Sequence, residues 1–318
     1  MSSNVSNKER LQTVLDGGVP DIPPTWELVF QIQQEFFGMP HRREVRTADY
    51  ASEADKQQAL RHYDFEVYER CIEELGWAAI PGSYDPDELA FRKEQTGDRA
   101  LVVGFEGAGV FWMPSGNKMV DFAVRVYEKP EEIHAEAREK CDHAKGIFRR
   151  HADAGADLLV GTYDFGFNAA PFVSPEKFEE IVAPYLAELV ETAHDLGNKF
   201  ILHSDGCLTR ILDQIHKTGI DGYQSVDPQG FMDIKSVREE YPEWILMGNV
   251  ECSMLQDTDE AKIRESVRYC MEHGGLGKPY IFSTSNCIFA GMPVESYKTM
   301  LDEYHLICAE SAPEKSEG

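Results

Sequence analysis

His203, Asp205 and Cys207 sit close together in the segment LHSDGC (202–207), at the end of an aliphatic run. An imidazole and a thiolate offered by one loop can hold a metal ion, and a carboxylate beside them can move a proton. A hydrogen-bonded core histidine beside a helix-start thiol would look the same, so a metal site needs a third group from elsewhere. Cys287, in FSTSNCIFAGMP (282–293), is the candidate, because it too closes an apolar run. One histidine and two thiols suit zinc, a borderline-soft ion that accepts both ligand types and leaves a fourth position open.

Other polar and aromatic residues gather at the ends of apolar runs: Trp26 and Glu27, Tyr84 and Asp85, Glu106, Tyr163 and Asp164, Gln224, Asn249 and Glu251, Ser285 and Asn286. The runs themselves are PTWELVF (24–30), WAAIPG (77–82), ALVVGF (100–105), DLLVGTY (157–163), KFILHSD (199–205), IDGYQS (220–225), WILMGNV (244–250) and YIFSTS (280–285). They are apolar throughout rather than alternating, as strands buried on both faces of a parallel sheet are. Amphipathic segments lie between them. The stretch 130–155 opens on a proline followed by acids and closes at Gly155; 174–197 opens Ser-Pro-Glu and bends at Pro184; 258–274 ends on a glycine pair; Pro293 opens a last helix through Cys308.

Eight strands, most followed by a helix, predict an α/β fold of the (β/α)8 barrel type, in which chemistry gathers where strands end. A doubly wound sheet is the alternative, and no GxGxxG follows an early strand to support it. The chain is expected to be one barrel domain over 1–318, with a helical N-terminal segment (1–22), an insertion around 31–75 and an acidic tail (309–318).

The 318 residues carry 31 basic and 56 acidic side chains, a net charge of −25. That balance argues against nucleic acid and anionic membrane as partners. No apolar run reaches the length of a membrane span, and the N-terminus has no apolar stretch of the secretory kind, so a soluble, cytoplasmic protein is expected. Seven scattered cysteines without a CxxC do not form a disulfide framework.

The segments NKERLQTVLDGGVPDIPP (7–24), TYDFGF (162–167), VSPEKFEEIVAPYLAELVETAHDLG (173–197), LHSDGC (202–207), GIDGYQSVDP (219–228), MGNVECSML (247–255) and STSNCIFAGMPVESY (283–297) resemble the uroporphyrinogen decarboxylase superfamily. The resemblance is to its methyltransferase-like branch, which includes the cobamide-dependent O-demethylase methyltransferases. It implies a (β/α)8 barrel. The decarboxylases carry an arginine-rich segment after the first strand that grips substrate carboxylates. Here PPTWELVFQIQQEFFG (23–38) contains no arginine, so uroporphyrinogen is not the expected substrate. Zinc methyltransferases of the superfamily place His-x-Cys after the fifth strand and a cysteine near the eighth. This chain keeps His203 but has Asp205 at the first cysteine position, with Cys207 two places on. The site is therefore His203/Cys207/Cys287 or His203/Asp205/Cys287; thiolate chemistry favours the first.

On this resemblance the reaction is methyl transfer between a small methylated substrate, such as an aromatic methyl ether, and the cobamide of a separate corrinoid protein. Tetrahydrofolate is a further acceptor to consider, and zinc would act as Lewis acid. No corrinoid-binding Asp-x-His-x-x-Gly occurs in the chain, so the cobamide must arrive on the partner. Asp164, Asp205 and Glu251 are the expected acids or substrate anchors. Trp26, Tyr84, Tyr163 and Phe165 are expected to wall the substrate pocket, together with Phe111, Trp112 and Phe167, with Asn249 and Asn286 as polar contacts. A homodimer is compatible with the sequence. Two other classes compete: a metal-free lyase using His203 and Asp205 for proton transfer, and a non-catalytic binding protein for a methylated compound.

Overall fold

The computed structural model describes residues 5–46 and 49–311. Seven parallel strands form one sheet in chain order: β1 (Ala79–Ser83), β2 (Leu101–Glu106), β3 (Leu158–Thr162), β4 (Phe200–His203), β5 (Gly222–Ser225), β6 (Ile245–Val250) and β7 (Tyr280–Thr284). Each coincides with one of the apolar runs, and the residues within them are almost all buried, as a sheet covered on both faces requires.

The first run, 24–30, closes the ring. Phe282 N–H donates to the Pro24 carbonyl at 2.8 Å, and Ala78 N–H donates to the Thr25 carbonyl at 2.9 Å, so this segment bridges β7 and β1. Thr25 pairs with Phe282 and Phe30 with Ile288, both parallel, as isolated bridges rather than a continuous ladder. Pro23 and Pro24 have no N–H to give to a ladder, which explains the irregularity at its entry. The architecture is a (β/α)8 barrel.

Local chemistry sets the helices. The helix Asn7–Leu15 in the N-terminal segment starts with a capping box between Ser6 and Glu9. Pro130 opens the helix Pro130–Asp153, and Gly155 beyond it has φ +89°. The expected bend near Pro184 is a break at Val182 between Pro175–Ile181 and Ala183–Asp195, because Pro184 lacks an N–H to continue the ladder. The segment from Thr258 starts its helix at Glu260, capped by Asp259, whose side chain accepts from the N–H groups of Ala261 and Lys262. The insertion contributes Gln33–Phe37, Arg42–Arg46 and the long Glu53–Leu75. The last helix, Val294–Ser311, runs into the acidic tail, of which 312–318 lie outside the described residues. Among the described residues, no helix is long and apolar enough to cross a membrane.

Candidate functional site

Register puts the polar strand ends side by side. Thr162 of β3 pairs with His203 of β4, and His203 pairs with Gln224 of β5. The side chain of Gln224 accepts from His203 Nδ1, which fixes the imidazole and leaves Nε2 facing the loops. His203 Nε2 lies 3.6 Å from Asp164 Oδ1 and 3.9 Å from Asp205 Oδ2. The three ligand atoms of Asp164, His203 and Asp205 all fall within 4.8 Å of one another, the one such metal-ligand group among the described residues.

Each member is held from behind. Asp205 Oδ1 accepts from the Ser225 hydroxyl at 2.7 Å, and Oδ2 accepts from the Asn286 amide. The Asp205 N–H donates to Asp164 Oδ1 at 3.2 Å. Burial raises the Asp205 carboxyl above its ordinary range, an effect opposed by the His203 charge and the Ser225 hydroxyl.

The loops that carry these groups touch through glycine. A Cβ on Gly206 would come 2.2 Å from the Gly166 carbonyl oxygen, and one on Gly230 would come 2.2 Å from the Gly206 carbonyl carbon. Gly206 also has φ +84°, a conformation that favours glycine. Cys207 N–H donates to the Phe167 carbonyl at 2.8 Å, and Gly206 N–H donates to Asp227 Oδ2 at 3.0 Å. Three strand-end loops are thereby stacked backbone on backbone, with Asp164 and Asp205 on their inner side.

A cavity of about 620 Å³ opens over the cluster. Its walls include Leu28, Val29, Tyr84, Phe105, Trp112 and Ile147, and its polar lining includes Glu106, His143, Asp164, His203 and Asn286. Cys287 also lines it, its thiol pushed up to about 12 chiefly by burial. Glu106 is anchored: Oε1 accepts from Ala108 N–H and Oε2 from Gly109 N–H, each at 2.8 Å, and the Tyr163 hydroxyl donates to Oε2.

Six of the residues expected from sequence therefore line one cavity: Tyr84, Trp112, Asp164, His203, Asn286 and Cys287. Asp205 completes the cluster beneath them. Others stand elsewhere. The Cys207 thiol faces the Thr209 hydroxyl at 3.8 Å and lies outside the ligand group, because the turn at Gly206 directs Asp205 inward in its place. Trp26 is fully buried in the core. Asn249 is buried between the Val226 carbonyl, to which it donates at 2.8 Å, and the Cys270 thiol, which donates to it at 3.2 Å. Glu251 accepts from the Ser253 hydroxyl at a helix start. Tyr163 and Phe165 are fully buried and stack on each other behind the cavity, and the Tyr163 hydroxyl is committed to Glu106.

Sequence reasoning gave no role to the support of Gln224 and Ser225, although both stand at a strand end in DGYQS. His143 and Ile147 gave no usable signal, since they reach the cavity from one face of the helix Pro130–Asp153.

A parallel (β/α)8 barrel with a histidine–dicarboxylate cluster at the carboxyl ends of its strands has the layout of a barrel enzyme. The family model for uroporphyrinogen decarboxylase (URO-D) matches residues 89–306, and the chain belongs to that family. A uroporphyrinogen decarboxylase of Prochlorococcus marinus (strain MIT 9303) is 25% identical over 220 residues, covering 66% of this chain and 59% of the relative. One from Thermosynechococcus vestitus is 24% identical over 225 residues, covering 67% and 62%. The matches thus span about three fifths of the length of these curated relatives. Among solved structures, a methyltransferase from Methanosarcina mazei superposes with a TM-score of 0.70 at 16% identity, covering 96% of this chain and 99% of that one. At that identity the likeness is one of fold.

Proposed function

We propose that this protein is a methyltransferase that moves a methyl group between a small methylated compound and the cobamide of a separate corrinoid protein. The observation that carries the reading is the makeup of the cavity. It holds a compact set of metal-ligating groups and, among the described residues that line it, no lysine or arginine to receive a carboxylate-rich tetrapyrrole.

The residues present fit a divalent metal such as zinc. His203 presents Nε2 with Nδ1 tied to Gln224, the arrangement metal-ligating histidines use, and two carboxylates stand beside it. Asp164, His203 and Asp205 would hold the ion, which keeps His203 and Asp205 of the second set offered by the sequence and adds Asp164. Once bound, it would supply Lewis acidity to a leaving heteroatom or an incoming thiol.

The chain's own residues do the rest. Ser225 and Asn286 hold the Asp205 carboxylate in one orientation, so little reorganisation accompanies reaction. Tyr84, Phe105 and Trp112 offer ring surfaces on which a methylated group can rest out of water. The partner's approach is supported by exposed apolar side chains on the loops at this end: Tyr84, Trp112, Phe167 and Phe231 follow β1, β2, β3 and β5.

A metal-free lyase is the second reading, favoured by one observation: Asp205, its carboxyl raised by burial, lies beside His203 as a proton-transfer pair. The test is methyl transfer to a reduced corrinoid protein, followed by the cobamide absorption spectrum, with zinc-loaded and chelator-treated protein. The proposal expects turnover that chelation abolishes and zinc restores. Decarboxylation of a substrate that survives chelation would instead support the lyase.

A further inference from the structure

The charge of the cavity narrows the methylated compound. Three carboxylates border it: Asp164 and Glu106 in the lining, and Asp205 beneath. A bound divalent metal ion would offset two of those three charges and leave one negative charge in excess. The helix Pro130–Asp153 places the imidazole of His143 in the lining, while its Arg138, Lys140 and Lys145 are engaged elsewhere. Arg138 donates to both oxygens of Glu188, each at 2.7 Å, Lys145 pairs with the same carboxylate, and Lys140 lies over the Phe111 ring at 5.6 Å. The buried thiol of Cys287 adds no positive charge. Beyond such an ion, an anionic substrate would meet carboxylates and, among the described lining residues, no lysine or arginine.

The walls point the same way. Tyr84 and Phe105 lie 5.6 Å apart between ring centroids with planes tilted by 34°, and the indole of Trp112 lines the same space. Aromatic faces attract a cation through the ring quadrupole, most strongly for indole and for weakly hydrated cations such as methylated onium groups. Trp112 is 40% exposed and Tyr84 58% exposed, so neither ring is consumed by core packing. Tyr84 is also steadied, its hydroxyl sharing a 2.9 Å hydrogen bond with Thr162.

We infer that the cavity receives a methylated onium head group, a quaternary ammonium or a tertiary sulfonium, in preference to a neutral or anionic group of the same shape. This rests on the methyl-transfer reading for its place in a reaction, but the recognition can be measured without any corrinoid.

The experiment titrates chelator-treated protein, in which no ion is present to take a carboxylate, by calorimetry and tryptophan fluorescence with choline, its neutral carbon isostere 3,3-dimethylbutanol, and the anionic 3,3-dimethylbutanoate. Choline should bind at least about tenfold more tightly than the alcohol, with the acid weakest. Trp112→Leu should reduce that preference and Trp112→Tyr should recover most of it, with unchanged circular dichroism reporting an intact fold. Equal or tighter binding of the alcohol or the acid, or no choline binding at millimolar concentration, would overturn the inference. Selective choline binding without methyl transfer from any onium donor would count against the methyl-transfer reading alone. Methyl transfer from a neutral ether, with no preference for choline, would count against the onium inference alone.

Discussion

At the residue scale, the site turns on which side chain follows His203 into the cluster. Asp205 faces inward and Cys207 outward, so the two should respond differently to substitution. Asp205→Asn should lower zinc affinity by at least about tenfold, because a charged ligand is lost. Cys207→Ser should leave zinc content unchanged. Elemental analysis of the purified variants checks both, and zinc lost from Cys207→Ser would restore the two-thiol site. Gln224→Leu should weaken zinc about tenfold without touching a ligand, since Nδ1 of His203 loses the acceptor that orients the ring. The identity of His203 and the neighbourhood of Cys287 were legible in the sequence, because both close apolar runs. The sequence left open whether Cys207 or Asp205 joins His203, because that choice depends on how the backbone turns at Gly206, where φ is +84°.

At the scale of elements, stacked loops and buried titratable groups decide stability. Gly206→Ala and Gly230→Ala should each destabilise the fold by at least about 1–3 kcal/mol, since a Cβ would press into backbone rather than into a side chain that can move. Thermal unfolding measures this, and the same variants should lose zinc affinity as Asp164 and Asp205 drift apart. Two other groups give opposite pH slopes. His151, buried against β2 where Gly104 makes room for it, has its pKa lowered to about 4 by burial. Its folded value lies below its ordinary 6.5, so the unfolded chain binds the extra proton between those limits and stability falls as pH drops from about 6.5 to 4. Replacing it with leucine should flatten that acid loss, which is worth up to about 3 kcal/mol. Glu27, buried in the closing segment, is raised to about 8, again by burial, and its carboxyl accepts from the Thr284 N–H and hydroxyl. Here the folded value lies above the ordinary 4.5, so stability is full below about 4.5 and is lost as pH rises through 8. Glu27→Gln should remove that alkaline loss in chemical denaturation run from pH 5 to pH 9. The strands and helices were readable because apolar runs, proline starts and glycine stops are local signals. The closing segment was readable as an apolar run, but its isolated bridges follow from partners on β1 and β7 that are distant in the chain.

At the scale of the whole molecule, the net charge of −25 and the apolar residues around the mouth describe how a partner would meet it. Opposite charge on a corrinoid protein would speed encounter, so methyl transfer should slow as ionic strength rises. Asp85→Lys, at the rim beside Tyr84, should reduce that salt dependence. A rate indifferent to salt, or equal activity with free cobalamin, would argue against a specific docking partner. Family membership leaves two chemistries in contention, and they place opposite demands on the same cavity: a tetrapyrrole carrying many carboxylates needs cationic side chains, and a methylated donor needs apolar walls beside an activating group. The measurement that separates them most directly is turnover of one zinc-loaded preparation in parallel, with uroporphyrinogen in one vessel and with a methylated donor plus reduced corrinoid protein in the other. The account predicts methylcobamide in the second and no coproporphyrinogen in the first. Coproporphyrinogen accumulating while the cobamide stays unmethylated would contradict it.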